Sequence, residues 1–286
     1  MSPQLRSFDH SAFPAERVRA ERESSISVCV PTRECAATIE PIVRTLVALR
    51  EHDVVDQVAV VDAGSTDGTV ELAATAGAEV HQQGDLLPEH GPVLGKGDAM
   101  WRALSVLHGE VVCFLDGDSE RFGPHFACGL AGAVACEPGV GFAKGSFRRP
   151  FRMGGVELPE GGGRVTELTA RPLLRRFYPE LGDMRQPLAG EIAARRELLE
   201  RLPFSTGYAV EMAMLLDAYR EVGLHGMAQV DLDVRQNRHQ PLQALGPMAD
   251  AVLAAVAVRL AREGRLAGVE VAPPVERPPL ATLAAS

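Results

Sequence analysis

Val111–Ser119 reads VVCFLDGDS. An apolar run with buried-strand character stops abruptly at Asp116-Gly117-Asp118, so the strand delivers two carboxylates to its C-terminal edge. In open α/β sheets that edge is where ligands bind. Gly117 lets the chain turn sharply between the two acids. Such a pair forms half a site for a hard divalent cation, and Mg²⁺ is usually shared between one or two carboxylates and phosphate oxygens. A solvated acidic turn is the plain alternative for a lone D-x-D. The strand before it and the segments around it weigh against that alternative.

Working outward, the same strand-then-loop pattern recurs. Ile26–Pro31 (ISVCVP) is a fully buried strand, followed by helical periodicity through Ile39, Ile42, Val43, Leu46 and Val47. Gln57–Asp62 (QVAVVD) is the next strand, then a turn-rich AGSTDG loop, a helix over 70–76 and a short strand over 78–81. Lys96–His108 reads as a third helix, 127–136 as a fourth, and Gly141–Phe147 as a strand. Strand–helix repeats with short connections predict a parallel sheet with right-handed crossovers. Glycines 154, 155 and 161–163 mark a loop-like connection. Beyond it, Arg164–Phe177 is helical, 190–199 is strand then helix, and Tyr208–Glu221 is an amphipathic helix. Gln229–Val234 alternates like an edge strand, and Pro247–Arg262 is a last helix with its proline in the first turn.

The expected fold class is α/β, one domain with an extension. Residues 1–24 are read as a polar lead-in with a short helix near Ala15–Glu23, and 25–245 as the core. The core divides into halves at about 25–150 and 151–245, and 246–286 is a helix and tail, the stretch from about Val271 to Ser286 being a free tail or an arm on a partner subunit. Composition agrees with a globular chain: 286 residues, 46% hydrophobic, so a sizeable core is available. The net charge of −9 argues against a nucleic-acid binder that relies on overall positive charge, and leaves room for a local basic pocket. Five cysteines without a C-x-x-C pair favour reduced thiols and a cytoplasmic setting. The first 25 residues lack an apolar signal core, and no apolar run approaches about 18 residues, so no membrane span is expected.

Several loops carry candidate chemistry. Pro31-Thr32-Arg33-Glu34 leaves the first strand where α/β folds contact bases and riboses. Ser65 in the second loop faces the same crevice. Gly95-Lys96-Gly97 opens a helix, where backbone amides and the helix dipole favour an anion and Lys96 adds charge. It lacks the Walker A spacing. Lys144, Arg148 and Arg149 end a buried strand, and Arg164 and Thr166 follow Gly161–Gly163, where arginine forks suit phosphate or carboxylate. Glu211 sits in an otherwise apolar stretch of helix, and Asn237 or His239 could complete a metal site with Asp118.

PTRE, VVDAGSTDGT, GPVLGKGDAMWRAL, VVCFLDGDSE, KGSFRRP, GGGRVTELTARPLL, QPLAGE, PFSTGYAVE and VRQNRHQPL occur in that order. Together they resemble the glucosyl-3-phosphoglycerate synthases and the related mannosyl enzymes of actinobacteria, which are retaining glycosyltransferases of GT-A fold. The resemblance runs from about Ser25 to Leu245. It implies a nucleoside diphosphate hexose as donor (UDP-glucose or GDP-mannose), 3-phosphoglycerate as acceptor, Mg²⁺ or Mn²⁺, a role in making a compatible solute, and a homodimer. By position it implies that Pro31, Thr32, Arg33, Glu34, Ser65, Lys96, Asp116 and Gly117 hold the nucleotide sugar. Gly163, Arg164, Val165, Thr166 and His239 would hold the acceptor, Asp118 the metal, and Glu211 would lie near the transferred sugar. One departure matters. Where the family commonly has V-R-E-H-R-N-R-P-L, this chain has VRQNRHQPL, so Asn237 stands in the place of the metal-binding His and His239 in that of an acceptor-binding Asn. A carbonyl oxygen of Asn also suits a hard cation. Three other readings stay open: a GT-A transferase with another small anionic acceptor, a nucleotidyltransferase, and a non-catalytic sugar-nucleotide-binding module.

Overall fold

The computed structural model describes residues 4–149, 151–153, 156–158, 163–235, 242–267 and 273–283. Its elements, in chain order, are β1 (Arg6–Asp9), α1 (Ala15–Glu21), β2 (Ile26–Thr32), α2 (Ile39–Glu51), β3 (Gln57–Asp62), α3 (Thr69–Thr75), β4 (Glu79–Gln82), α4 (Lys96–Ala103), β5 (Val111–Phe114), α5 (His125–Ala135) and β6 (Phe142–Arg148). Then come β7 (Phe151–Met153), β8 (Val156–Leu158), α6 (Arg171–Phe177), β9 (Ile192–Arg195), α7 (Arg196–Arg201), β10 (Phe204–Ser205), α8 (Val210–Val222), β11 (Met227–Val234), α9 (Leu242–Arg262), β12 (Glu276–Arg277) and α10 (Leu280–Leu283). A π-helical stretch, Thr166–Ala170, runs straight into α6.

Eight strands form the central sheet in the order β1-β11-β6-β9-β5-β2-β3-β4. All neighbours are parallel except β9, which runs antiparallel to both β5 and β6. The parallel strands therefore end on one edge, and reversed β9 brings its N-terminal end to that same edge. The sheet is buried on both faces, so β2, β3 and β5 read as continuous apolar runs rather than alternating ones. One face carries α2 and α5. The other carries α4, α8 and α9 through Trp101, Met212, Leu215, Val252 and Val256.

Four expectations need correction. Residues 1–24 are no mere lead-in: β1 pairs with β11 from Arg6↔Ala228 to Asp9↔Asp231, and Phe13 and Val18 sit in the core beneath α5. β11 is consequently an interior strand, not an edge, because β1 covers it. The C-terminal helix begins at Leu242 and carries Pro247 inside it, and β12 folds back onto β10 of the same chain rather than onto a partner. Finally, Gln243–Arg262 is long and apolar enough to cross a membrane by length and composition, with mean hydropathy 1.6. Its Val252, Ala255, Val256 and Leu260 are buried against the protein, and Arg259 pairs with Asp217 of α8 at 2.5 Å.

The N-terminal segment is anchored by its aromatic side chains. Phe13 is 1% exposed and meets Phe8 edge-on at 5.3 Å. We expect Phe13→Ala to cost about 3–5 kcal/mol, measured by urea unfolding. A change under about 1 kcal/mol would show that β1 is dispensable to the sheet.

Candidate functional site

The DGD turn emerges between β5 and α5 and faces a cavity of about 780 Å³ at the strand-end edge of the sheet. That volume lies in the range of small-molecule sites. Asp116 is the hub. Its Oδ1 accepts from Lys96 Nζ at 2.5 Å, and its Oδ2 lies 2.8 Å from Arg235. Lys96 also meets Glu211 Oε1 at 3.0 Å, and Arg235 donates to Asp118 Oδ1 at 2.6 Å and pairs with Glu191 at 3.0 Å. Lys96 and Arg235 thus bridge four carboxylates: Asp116, Asp118, Glu191 and Glu211. Arg235 and Glu191 are almost wholly buried, at 2% and 1% exposure, whereas Asp118 is 55% exposed at the rim.

The protonation states follow from this pairing. Burial opposes charge on Asp116, but Lys96 and then Arg235 outweigh it and hold the carboxyl well below the usual range. Burial likewise works against the Lys96 ammonium, and Asp116 and Glu211 outweigh it and hold it above the usual lysine range. Arg235 is held up, against burial, by Glu191 and Asp116. Glu191 moves the other way: burial pushes it up against the pull of Arg235. Beneath the turn, Lys144 is fully buried and donates to the Ala189 carbonyl at 2.8 Å. Burial pushes its ammonium down to about 8, with Glu211 opposing and Lys96 reinforcing the shift.

Backbone geometry makes room for the hub. A Cβ on Gly190 would stand 2.3 Å from both Lys96 Nζ and Asp116 Oδ1. Only a glycine there lets the β9 entry run against the ion pair. A register shift in β11 between Asp231 and Val234, with Asp233 at φ +68°, breaks the strand pairing just before Arg235. Bulges of this kind re-aim side chains at sheet rims.

The donor-side loops are bound to one another. Buried Asp62 accepts from Thr32 Oγ1 at 2.9 Å and from the Ser65 amide and hydroxyl at 2.7 and 2.6 Å. Glu34, at φ +54°, accepts from the Thr66 amide at 2.9 Å, and its own amide donates to Ser65 Oγ at 2.8 Å. Thr38 Oγ1 reaches the Gly117 carbonyl at 2.6 Å, joining the first loop to the DGD turn.

The structure brings most sequence candidates to one cavity wall: Pro31, Thr32, Arg33, Lys96, Asp116, Gly117, Asp118, Gly163, Arg164, Val165, Thr166 and Glu211 all line it. Glu34 and Ser65 tie the first two loops together beside that wall. Asn237 and His239 lie outside the described residues. Sequence reasoning missed Arg235, Glu191 and Gly190 as site residues. The available signals were a lone arginine directly after an apolar strand and an acid directly before one.

Hard carboxylate oxygens at the rim suit Mg²⁺ or Mn²⁺. Among the described residues no group of three or more His, Cys, Asp or Glu could cage an ion. Asp118 with Asp116 beside it fits the sharing mode, in which phosphate oxygens and waters complete the shell. Arg235 takes Oδ1 of Asp118, and the carboxylate carries a second oxygen.

Residues 27–127 match the family model described as glycosyl transferase family 2. The chain is 41% identical over 267 residues to the glucosyl-3-phosphoglycerate synthase of Petrotoga mobilis, covering 91% of this chain and 82% of that one. The chain belongs to the glucosyl-3-phosphoglycerate synthase family. The fold is accordingly GT-A. It is similar to mannosyl-3-phosphoglycerate synthase from Rubrobacter xylanophilus, with TM-score 0.89 and 44% identity over 97% of this chain and 96% of that one. It is also similar to glucosyl-3-phosphoglycerate synthase from Mycobacterium tuberculosis in complex with Mn²⁺, UDP-glucose and phosphoglyceric acid, with TM-score 0.85 and 37% identity over 98% and 99%. The family resemblance read from the ordered motifs, and the GT-A fold it implied, are therefore upheld.

Gly190→Ala forces the Lys96–Asp116 pair apart. Turnover is expected to fall about a hundredfold, the order seen when one preorganised donor is lost, with the far-UV circular dichroism unchanged. Wild-type turnover in that variant would show the pair to be incidental. Lys144 yields a pH signature. Below about pH 8 its buried ammonium is charged and costs stability. Between about 8 and its ordinary 10.5 the folded chain has lost a proton the unfolded chain retains, so the cost is relieved as pH rises. Relative to Lys144→Met, the wild type should gain about 3 kcal/mol across that window, read from urea midpoints. A flat difference would contradict the depressed value.

Proposed function

We propose that this chain transfers a hexose from a nucleoside diphosphate sugar to 3-phosphoglycerate, with retention at the anomeric carbon. One observation carries the reading: a lysine at a helix start, an acidic pair on the sheet rim and an arginine-bearing turn converge on a single cavity. The similarity to synthases named for this transfer supports it.

In this reading Pro31, Thr32 and Arg33 take the base and ribose, and Glu34 and Ser65 hold those loops in register. Lys96 and the first amides of α4 take the diphosphate, where helix dipole and ammonium act together. Asp116 contacts ribose or sugar and keeps Lys96 aimed. Asp118, beside Asp116, is one ligand for Mg²⁺ or Mn²⁺, with Asn237 or His239 as the candidate that completes the set, and the bound ion would neutralise charge on the departing diphosphate. Gly163, Arg164, Val165 and Thr166 orient the acceptor's phosphate or carboxylate, which turns an encounter into a nearly unimolecular step. Glu211 lies beside the transferred hexose.

Retention does not call for a covalent enzyme intermediate here. Each of the three carboxylates lining the cavity has another role, Asp116 and Glu211 in holding Lys96 and Asp118 in holding the metal. The acceptor hydroxyl therefore attacks from the face the diphosphate leaves, and its proton passes to the leaving phosphate. A cytoplasmic homodimer is part of the same proposal. Five free thiols and the exposed Leu168 and Leu253 support it.

A donor-by-acceptor matrix, with and without a chelator, tests the reading. UDP or GDP should appear only with a hexose donor and 3-phosphoglycerate together, and the chelator should abolish it. Pyrophosphate release would instead make the chain a nucleotidyltransferase. Donor binding without any nucleoside diphosphate release would make it a binding module.

A further inference from the structure

Lys96 is one residue of the stretch GKGDAMWRA, and the cavity accounts for only part of that stretch. Asp98, Trp101 and Arg102 do not line the cavity, yet all three are fully buried. Arg102 donates to Asp98 at 3.1 Å, to the Leu87 carbonyl at 2.9 Å and to the Gly91 carbonyl at 2.7 Å. Asp98 in turn accepts from the Leu94 amide at 2.8 Å. The loop leading into Lys96 is thus bound to the first turns of α4 itself.

The remaining partner comes from the far end of the chain. Arg277 of β12 donates to Asp98 Oδ1 at 2.6 Å and to the Pro92 carbonyl at 2.8 Å, and also bonds the His90 carbonyl. Its guanidinium lies 5.6 Å from the Trp101 ring centre, and the Trp101 indole N–H donates to the Pro278 carbonyl at 2.8 Å. Glu276, the neighbouring residue, pairs with Arg259 at 2.8 Å and Arg262 at 2.5 Å of α9 and accepts from Ser205 at 2.9 Å.

The same arm braces a second segment of the cavity wall. β12 pairs with β10, and the Thr206 amide donates to the Val275 carbonyl at 2.9 Å. β10 runs directly into Gly207 and Tyr208, which line the cavity, and then into Glu211. The α4 start is packed on β10 so closely that a Cβ on Gly97 would stand 1.9 Å from the Ser205 carbonyl. Both ends of the Lys96–Glu211 pair therefore rest on segments that the arm joins.

We propose that the C-terminal arm, residues 273–283, is a positioning element for the sugar-nucleotide donor, and that Arg277 is its positioning residue. Arg277 does not line the cavity; it acts by fixing the 90–98 turn and, through β10, the Gly207 turn packed against it. Docking of the arm and binding of the donor then favour one another, and such coupling is reciprocal. The inference rests on the sugar-nucleotide reading above.

The chain's single tryptophan is Trp101, so its emission reports the arm directly. The probe is UDP or GDP, whichever the wild type binds, with Mg²⁺. Arg277→Met should shift emission to the red, raise acrylamide quenching and weaken nucleotide binding about tenfold. Saturating nucleotide should move the emission back toward wild type, and the KM for 3-phosphoglycerate should change less than twofold. Glu276→Gln, which keeps the Arg277–Asp98 contact, should shift everything in the same direction but by about threefold, and it decides the matter if Arg277→Met does not fold. Folded variants with wild-type nucleotide affinity, or with equal losses for donor and acceptor, would reduce the arm to a structural strut and overturn the proposal. A wild-type chain that binds neither nucleotide would instead refute the sugar-nucleotide reading, and the arm's donor role with it.

Discussion

One carboxylate shared by two cations organises this molecule. Asp116 stands between Lys96 and Arg235 in a place largely removed from water, and each partner is itself tied to a further acid. Buried charges persist only where every one is paired and hydrogen-bonded, because an uncompensated charge costs several kcal/mol. The hub therefore constrains five separate segments at once: the α4 start, the DGD turn, the β9 entry, the first turn of α8 and the end of β11.

Sheet topology is what makes the hub reachable. Seven strands of the central sheet share one direction, so their C-terminal ends gather on one edge. Reversed β9 contributes Gly190 and Glu191 from its beginning rather than its end. Were β9 parallel to its neighbours, that pair would lie at the far edge of the sheet. Gly190 must be small because it touches the ion pair, and Glu191 must be acidic because Arg235 is buried beside it. The local choices and the global path agree.

Much of this was legible in the chain itself. Apolar runs ending in PTRE, DAGSTDG and DGDS located three strands and their functional edge, because fully buried parallel strands read as continuous apolar segments. Glycines around Lys96 and before Arg164 marked two turns that line the cavity. The misreadings share a cause. β1 is four residues of alternating exposure and resembles any polar lead-in. β11 alternates only toward its end, where it leaves the sheet, and so imitates an edge strand. The C-terminal arm carries proline and alanine, typical of a free tail, while its contacts with the body are made by backbone carbonyls and two charged side chains.

Local pattern by itself determined the strands of the central sheet apart from β1, most helices, the acidic turn and the family, since each depends on residues close together in sequence or on ordered motifs. Only the tertiary structure decided that Arg235, Glu191 and Gly190 belong to the site, that the first residues complete the sheet, and that the last ones brace α4. Those facts depend on which charges share a low-dielectric space and on which strand runs backward. Pairings such as Arg235 with Asp118, 117 residues apart, leave no periodic trace in the chain. The cost of burying charge is set by three-dimensional proximity, and proximity at that separation is a property of the folded path.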